Sequence, residues 1–238
     1  MGNPGFDKKG NIKLGANMWT FSKLYGNEEH TIDRLGLSVV GTCGSYCEGC
    51  KHDCYVRRSY RYGSVIYKHG INTIAMRTNK ADLFSRLNAQ LTRAKNKPEI
   101  VRINQAGEIE TAEEFRNWAE LARLHNYTQF YVYTKALDIV LPIVRSMWNN
   151  GSLPENITVL ISIWHDYGVD EFISCKHIPN VKAFVYNDGF DYGYYDIKAT
   201  TKCNAYNGRI LNHDITCDKC RKCFSRRPKD KVIFCDSH

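Results

Sequence analysis

The sequence predicts an α/β protein: a partial (βα) barrel of parallel strands, followed by a cysteine-rich C-terminal extension. Three observations lead there. Short apolar runs alternate with amphipathic helical stretches at least three times between Ile100 and Val185, the pattern of a parallel sheet with right-handed crossovers. The alternation supplies roughly four to six strands, fewer than a closed eight-stranded barrel needs. After Asn187 it dissolves into Gly, Asp and Tyr, and a run of cysteines follows. The predicted division is therefore 1–190 for the TIM-barrel-like part and 191–238 for the extension.

Taken in order, residues 1–41 are uninformative except for Leu37–Val40, a short strand feeding a cysteine loop. Ser64–Tyr67 reads as another short strand. Ile71–Lys95 reads as one long helix, with Leu83, Phe84, Leu87 and Leu91 at helical spacing, ended by Pro98. Ile100–Ile103 is a buried strand, and the turn Asn104-Gln105-Ala106-Gly107-Glu108 follows it. Thr111 and Glu114 form a capping box for a helix that buries Phe115, Trp118, Ala119 and Ala122. Gln129–Thr134 is a strand rich in β-branched and aromatic residues. A helix over Ala136–Trp148 stops at Asn149-Asn150-Gly151, where a left-handed cap fits. Ile157–Ile163 is almost uninterrupted apolar sequence, the mark of a strand covered on both faces. A short helix at Asp170–Cys175 and a strand at Val181–Val185 end the series.

Composition narrows the function classes. With 238 residues and 43% hydrophobic content, the chain can bury a core without covalent staples. Ten cysteines are therefore not needed to rescue a small fold. Met1–Lys13 is polar and carries no secretion signal, no apolar run approaches a membrane span, and Phe6 occupies the position where a myristoylation site needs Ser or Thr. A cytoplasmic, reducing location follows, which favours metal-bound thiolates over disulfides. The net charge is +8. Arg57, Arg58 and Arg61 follow the first cysteines, and Arg221, Lys222, Arg226, Arg227, Lys229 and Lys231 surround the last. These cations balance anionic metal–thiolate groups, or contact nucleic acid or a host protein.

Eight cysteines fall in two groups. Cys43, Cys47, Cys50 and Cys54 lie in one loop; Cys203 precedes Cys217, Cys220 and Cys223, a C-x2-C-x2-C run. Thiolates are soft ligands, and this density suits iron–sulfur chemistry. The late run, in consecutive short steps, wraps a four-iron (4Fe-4S) cluster better than zinc, which draws thiolates as two separated pairs; zinc is the alternative there. Cys175 and Cys235 read as isolated buried thiols. No catalytic triad, P-loop or dinucleotide fingerprint is present. Asn104, Tyr133, Lys135, Ser162, Trp164, His165 and Asp166 stand at strand ends, where parallel sheets bind substrates.

The C-x3-C-x2-C spacing of Cys43, Cys47 and Cys50 resembles the signature of radical S-adenosylmethionine (radical SAM) enzymes. That resemblance implies three cysteines on a 4Fe-4S cluster, with one iron open to S-adenosylmethionine, which is cleaved on reduction to a 5′-deoxyadenosyl radical. Ala106-Gly107-Glu108 is similar to that family's Gly-Gly-Glu motif, which receives the methionine amine, although Gly107 also reads as an ordinary turn glycine. Gly107 and Glu108 by this resemblance, and Asn104, Lys135 and Ser162 by their place at strand ends, are the cofactor-side candidates. A second resemblance uses more of the chain. Cys43, Cys50, Cys54-Tyr55, Val101-Arg102-Ile103, Ala106-Gly107-Glu108, Trp118 and Phe130–Lys135 are similar to a phage-encoded family named after gene product 88. It implies the host cytoplasm as location, and makes Cys54 a ligand and Cys47 the extra residue. The expected function is an iron–sulfur phage protein with a radical SAM-like scaffold, its substrate unspecified. The competing expectation is a non-catalytic iron–sulfur or zinc protein that binds nucleic acid or a host protein through its basic surface.

Overall fold

The computed structural model describes residues 3–8, 17–47, 50, 54–165, 167–187, 192, 197, 201–203, 206–207, 210–211, 215–225 and 230–236. A three-residue strand, β1 (Met18–Thr20), is followed by the antiparallel pair β2 (Glu29–Ile32) and β3 (Leu37–Val40). Helices α1 (Gly63–Thr78) and α2 (Lys80–Thr92) precede β4 (Ile100–Ile103). Then α3 (Ala112–Leu124), β5 (Gln129–Thr134), α4 (Leu137–Asn149), β6 (Ile157–Ile163), α5 (Val169–Cys175) and β7 (Val181–Asn187) alternate. β8 (Thr201–Lys202), the pair β9 (Tyr206–Asn207) and β10 (Ile210–Leu211), the single turn α6 (Cys217–Cys220) and β11 (Val232–Asp236) follow.

Seven of these strands form one sheet in the order β1-β4-β5-β6-β7-β11-β8, every pair parallel. Among the described residues the sheet does not close on itself; Asp7 bridges the outer side of β1 at Thr20. The period-two geometry of strands sorts the side chains. Val101, Ile103, Phe130, Val132, Val159, Ile161, Val181 and Ala183 face the helices, where they meet Leu83 and Leu87 of α2, Phe115 and Trp118 of α3, Val140 and Val144 of α4 and Phe172 of α5. Each such aliphatic side chain, fully buried, contributes about 1.5–3 kcal/mol. β6 is buried at every position, as its nearly continuous apolar run requires. The opposite face carries a smaller cluster of Met18, Ile100, Tyr131, Leu160 and Ile233, covered by Phe224. That second face is where polar chemistry gathers.

The structure departs from the sequence expectations in four places. Ser64–Tyr67 is helical, inside α1, because α1 packs tightly on β2: a Cβ at Gly70 would lie 2.2 Å from Ile32 Cδ1. Tertiary packing there overrides the β-propensity of Val and Ile. The single helix over Ile71–Lys95 is two helices, broken at Asn79, whose side chain accepts from the Asp82 N–H at 3.3 Å and caps α2. β1 was not foreseen; three residues are too short to show a period. The sheet also continues beyond Val185, with β11 inserted between β7 and β8, so strands from the cysteine-rich region share the central sheet. The predicted helix cap at Thr111 is present, its Oγ1 accepting from the Glu114 N–H at 3.1 Å. Glu114 is used differently. Its Oε2 accepts from the Glu110 N–H at 3.1 Å and from the buried Lys23 ammonium at 2.8 Å. No helix among the described residues is long and apolar enough to cross a membrane.

Lys23 is fully buried, and Glu114 is its closest counter-charge; Glu110 is farther, at 3.4 Å. Removing one partner of a buried pair strands the other charge. Glu114→Gln is expected to lower unfolding free energy by about 3 kcal/mol, read from the urea midpoint at an unchanged m-value; a loss below a few tenths of that amount would mean Glu110 alone satisfies Lys23.

Candidate functional site

A cavity of about 180 Å³ opens on the second face of the sheet. Its floor comes from alternate residues of β4, β5 and β6 and the positions just beyond them: Arg102, Asn104, Tyr133, Lys135, Ser162 and Trp164. Cys43, Cys50 and Cys54 line it from one cysteine group, and Cys203, Cys217, Cys220 and Cys223 from the other. Two groups read in the sequence as separate sites thus border one space. Cys47 belongs to a short turn, Gly44–Cys47, but its side chain lies outside the described residues, as does Asp166. His165, with φ of 50°, is exposed and does not line the cavity.

The first group is held by backbone contacts from both sides. The Cys43 N–H donates to the Gly26 carbonyl at 2.9 Å, and the Gly26 N–H donates to Cys43 Sγ at 3.2 Å. Cys43 and Cys54 pack on Tyr25, Val56 and Ala106. The Tyr25 and Tyr60 rings meet edge to face, 4.5 Å between centroids, and Tyr60 hydrogen-bonds His69 at 3.0 Å. Burial pushes the Cys54 thiol above its ordinary range, the Cys50 thiol adds to the effect, and Lys135 opposes it. In the second group, α6 ends at Arg221 in the left-handed region, φ 58°. Lys182, buried on β7, donates to the Lys222 carbonyl at 2.6 Å. Cys223 Sγ lies 2.9 Å from the Tyr133 hydroxyl, and Phe224 rests against the Tyr131 ring. Burial and then Cys217 push the Cys223 thiol up to about 12, with Cys203 and Cys220 adding and the Tyr133 hydrogen bond opposing. Cys217, Cys203 and Cys220 thus lie close enough to Cys223 to oppose its ionisation.

The Ala106-Gly107-Glu108 turn joins the first cysteine group to the sheet. Gly107 has φ of 80°, and a Cβ there would lie 2.5 Å from Thr42 Oγ1 and 2.9 Å from Lys23 Cβ. Glu108 is buried, and its carboxylate accepts three hydrogen bonds: from Ile109 N–H at 2.8 Å, Thr134 Oγ1 at 2.6 Å and Lys135 N–H at 2.8 Å. It is a brace between the β4 loop and the end of β5, with little hydrogen-bonding capacity left for a ligand. Burial raises its pKa and the three donors oppose the rise. Lys135 sends its ammonium over the Trp164 ring, 5.1 Å from the centroid.

Arg102 is the residue that sequence reasoning missed. The signal was available: a single charge in the apolar strand Ile100-Val101-Arg102-Ile103 must face something other than hydrocarbon. Its guanidinium donates to the Tyr55 hydroxyl at 2.8 Å and lies 4.8 Å from the Tyr133 ring centroid. Cys50, Cys54, Cys175, Cys220 and Cys223 are free thiols. Among the described residues, no three His, Cys, Asp or Glu side chains converge as a site for a metal ion.

Fold and site together define an α/β protein with a cysteine-walled cavity on the open face of a parallel sheet. The family model described as gene product 88 matches residues 6–226. That span covers both cysteine groups and the whole of the β4–β7 series, and the chain belongs to this family. Neither the curated proteins nor the solved structures contain a match to the chain.

Gly107→Ala forces a side chain into a left-handed backbone and onto Thr42 at once. The expected loss is roughly 1–3 kcal/mol from the backbone alone, seen as a lower denaturation midpoint. A variant as stable as the parent would show that the turn is not pinned as described.

Proposed function

We propose that this phage-family protein is an iron–sulfur protein whose parallel sheet, a partial barrel of the radical SAM type, carries the cluster chemistry at the strand ends. The observation that carries the reading is the approach of both cysteine groups to one cavity beside Asn104, Lys135 and Ser162. Several thiols in a buried space repel each other once ionised, and a cationic centre removes that repulsion. A multi-iron cluster also spreads its thiolates over different metal atoms, so its ligands need not converge on one point as those of a single ion do. Cys43, Cys50 and Cys54 are the described donors of the first group; Cys203, Cys217, Cys220 and Cys223 are those of the second, where zinc is the competing occupant. When bound and reduced, a cluster of this type supplies one electron to S-adenosylmethionine, which then yields a 5′-deoxyadenosyl radical. The protein's own part is to hold the thiols, to screen their charge with Lys135, and to fix the mouth of the cavity through Glu108. The radical would act on a substrate held at the same strand ends.

Protein purified without oxygen is expected to be brown, with a broad visible absorption and iron and sulfide in comparable amounts. Cys54→Ser should lower the iron content. Incubation with dithionite and S-adenosylmethionine should produce 5′-deoxyadenosine. A coloured protein that neither binds the cosubstrate nor forms this product leaves the cluster reading and ends the enzyme reading. A colourless protein holding only zinc, or no metal at all, sinks both.

A second reading has its own observation. Arg61 lies over the exposed Tyr62 ring and Arg34 over Tyr67, 4.8 and 5.3 Å from the centroids, on elements that pack together around α1. Aromatic rings paired with exposed guanidinium groups suit single-stranded nucleic acid. Under this reading a fluorescent oligonucleotide binds with an affinity that falls steeply as salt rises, and Arg58→Glu with Arg61→Glu weakens it at least tenfold; affinity indifferent to salt would exclude phosphate contacts.

A further inference from the structure

We propose that the cavity between the two cysteine groups binds a small organic anion, its oxyanion group gripped by the Arg102 guanidinium and a neutral polar edge of the same molecule met by the Asn104 amide. The inference goes beyond the cluster reading and holds whichever metal the thiols carry.

Two costly anomalies sit two residues apart on one strand. Arg102 is buried, with 9% of its surface exposed. Among the described residues no carboxylate pairs with it, and its Nε has no hydrogen-bond partner. Its neighbours are the Tyr55 hydroxyl and the Tyr133 and Tyr55 rings, with the Cys217 thiol within electrostatic range. Aromatic rings and a phenol are weak substitutes for the water that a guanidinium loses on burial. Asn104 is buried to 3% exposure, and both its amide oxygen and its amide nitrogen lack a partner among the described residues. Buried polar atoms are nearly always satisfied, so each exception calls for an explanation. Two exceptions side by side, both lining the same cavity, call for the same one.

The backbone around them is not slack. The Phe21 N–H donates to the Arg102 carbonyl, and the Gln105 N–H donates to the Phe21 carbonyl, each at 3.0 Å. Tyr55 accepts from Arg102 and donates to the Gln105 carbonyl. Asn104 sits between these anchors at φ of 50°, a conformation that glycine adopts more easily. An amide kept in a left-handed, buried position and bonded to no described residue is poised for something outside the chain. The chemistry of the pair names the partner. A guanidinium offers a planar fork that matches carboxylate or phosphate. An amide offers one donor and one acceptor edge, which complements another amide or a similar neutral group. Tyr133, Trp164 and Phe184 supply apolar walls for the carbon skeleton between them.

The test uses the full chain, purified without oxygen, with iron, sulfide and zinc quantified so that variants are compared at equal metal content. Thermal denaturation is followed during titration with sodium acetate, sodium phosphate or sodium succinamate, which carries both a carboxylate and a primary amide. Chloride is withdrawn to keep ionic strength constant. The expected result is a saturable rise in Tm, with acetate or with phosphate according to which oxyanion the site takes, and half-saturation at lower concentration for succinamate than for acetate if that oxyanion is a carboxylate. Arg102→Met should melt higher than the parent without ligand, because an uncompensated charge is gone, and should lose the response to every anion. Asn104→Gly should also melt higher, keep the response to the simple oxyanion, and lose any advantage of succinamate. The proposal is overturned if the parent responds to none of the three probes, or if Arg102→Met responds as the parent does. It is equally overturned if both variants melt lower than the parent, since their side chains would then serve the fold.

Discussion

The architecture depends on one buried carboxylate. Glu108 binds its own following amide, the Thr134 hydroxyl and the Lys135 amide, while its N–H reaches Thr42 Oγ1 at 2.9 Å. Thr42 in turn donates to the Leu24 carbonyl at 2.8 Å and immediately precedes Cys43. One residue therefore ties the first cysteine segment, the β4 loop and the end of β5 into a single unit. Hydrogen bonds to an ionised acceptor in a buried setting are strong, and the loss of any donor would leave a charge exposed to hydrocarbon. Lys135 and Cys43 take their places at the cavity from this brace. The adjacent Gly107 has no room for a side chain, which lets Thr42 and Lys23 close in.

The sheet contributes the other half of the arrangement. Strands β4 to β7 carry hydrocarbon toward the helices on one set of alternate residues and polar, aromatic or cationic groups on the other. A doubly wound sheet would cover both faces with helices. Here the second face is covered instead by the segment around Cys217–Phe224, with Phe224 as its apolar anchor. The Cys223 thiol of that segment is consequently set against the Tyr133 hydroxyl, and burial resists its ionisation. The cavity brings together thiols whose ionisation burial opposes, an amide with no partner among the described residues, and a buried cation. That combination lowers stability and is typical of sites shaped for a ligand.

Much of this was legible in the residue order. The strands Ile100–Ile103 and Ile157–Ile163 and the Thr111 cap appear where expected, because long apolar runs and side-chain capping are local signals. Both cysteine groups picked out by their spacing border the one cavity. The errors are equally physical. β1 is too short to show a period, Ser64–Tyr67 is made helical by packing on β2, and Asn79 breaks a helix that periodicity alone would continue. Glu108 lines the cavity as a ligand-side residue would, and its three donors within the protein, two of them at the end of β5, are visible only in the tertiary structure.

What the sequence by itself determined is the set of local choices: parallel βα units, two groups of cysteines, and a family shared over residues 6–226. These follow from side-chain periodicity and from donor chemistry, which are properties of neighbouring residues. Only the tertiary structure decided that β11 enters the sheet between β7 and β8 and that the early and late thiols border one cavity. It also decided that Arg102 and Asn104 are buried there with polar atoms unused. Those outcomes depend on which distant segments share the second face of the sheet. Such pairing is set by the summed burial of many side chains, which no short stretch of sequence carries.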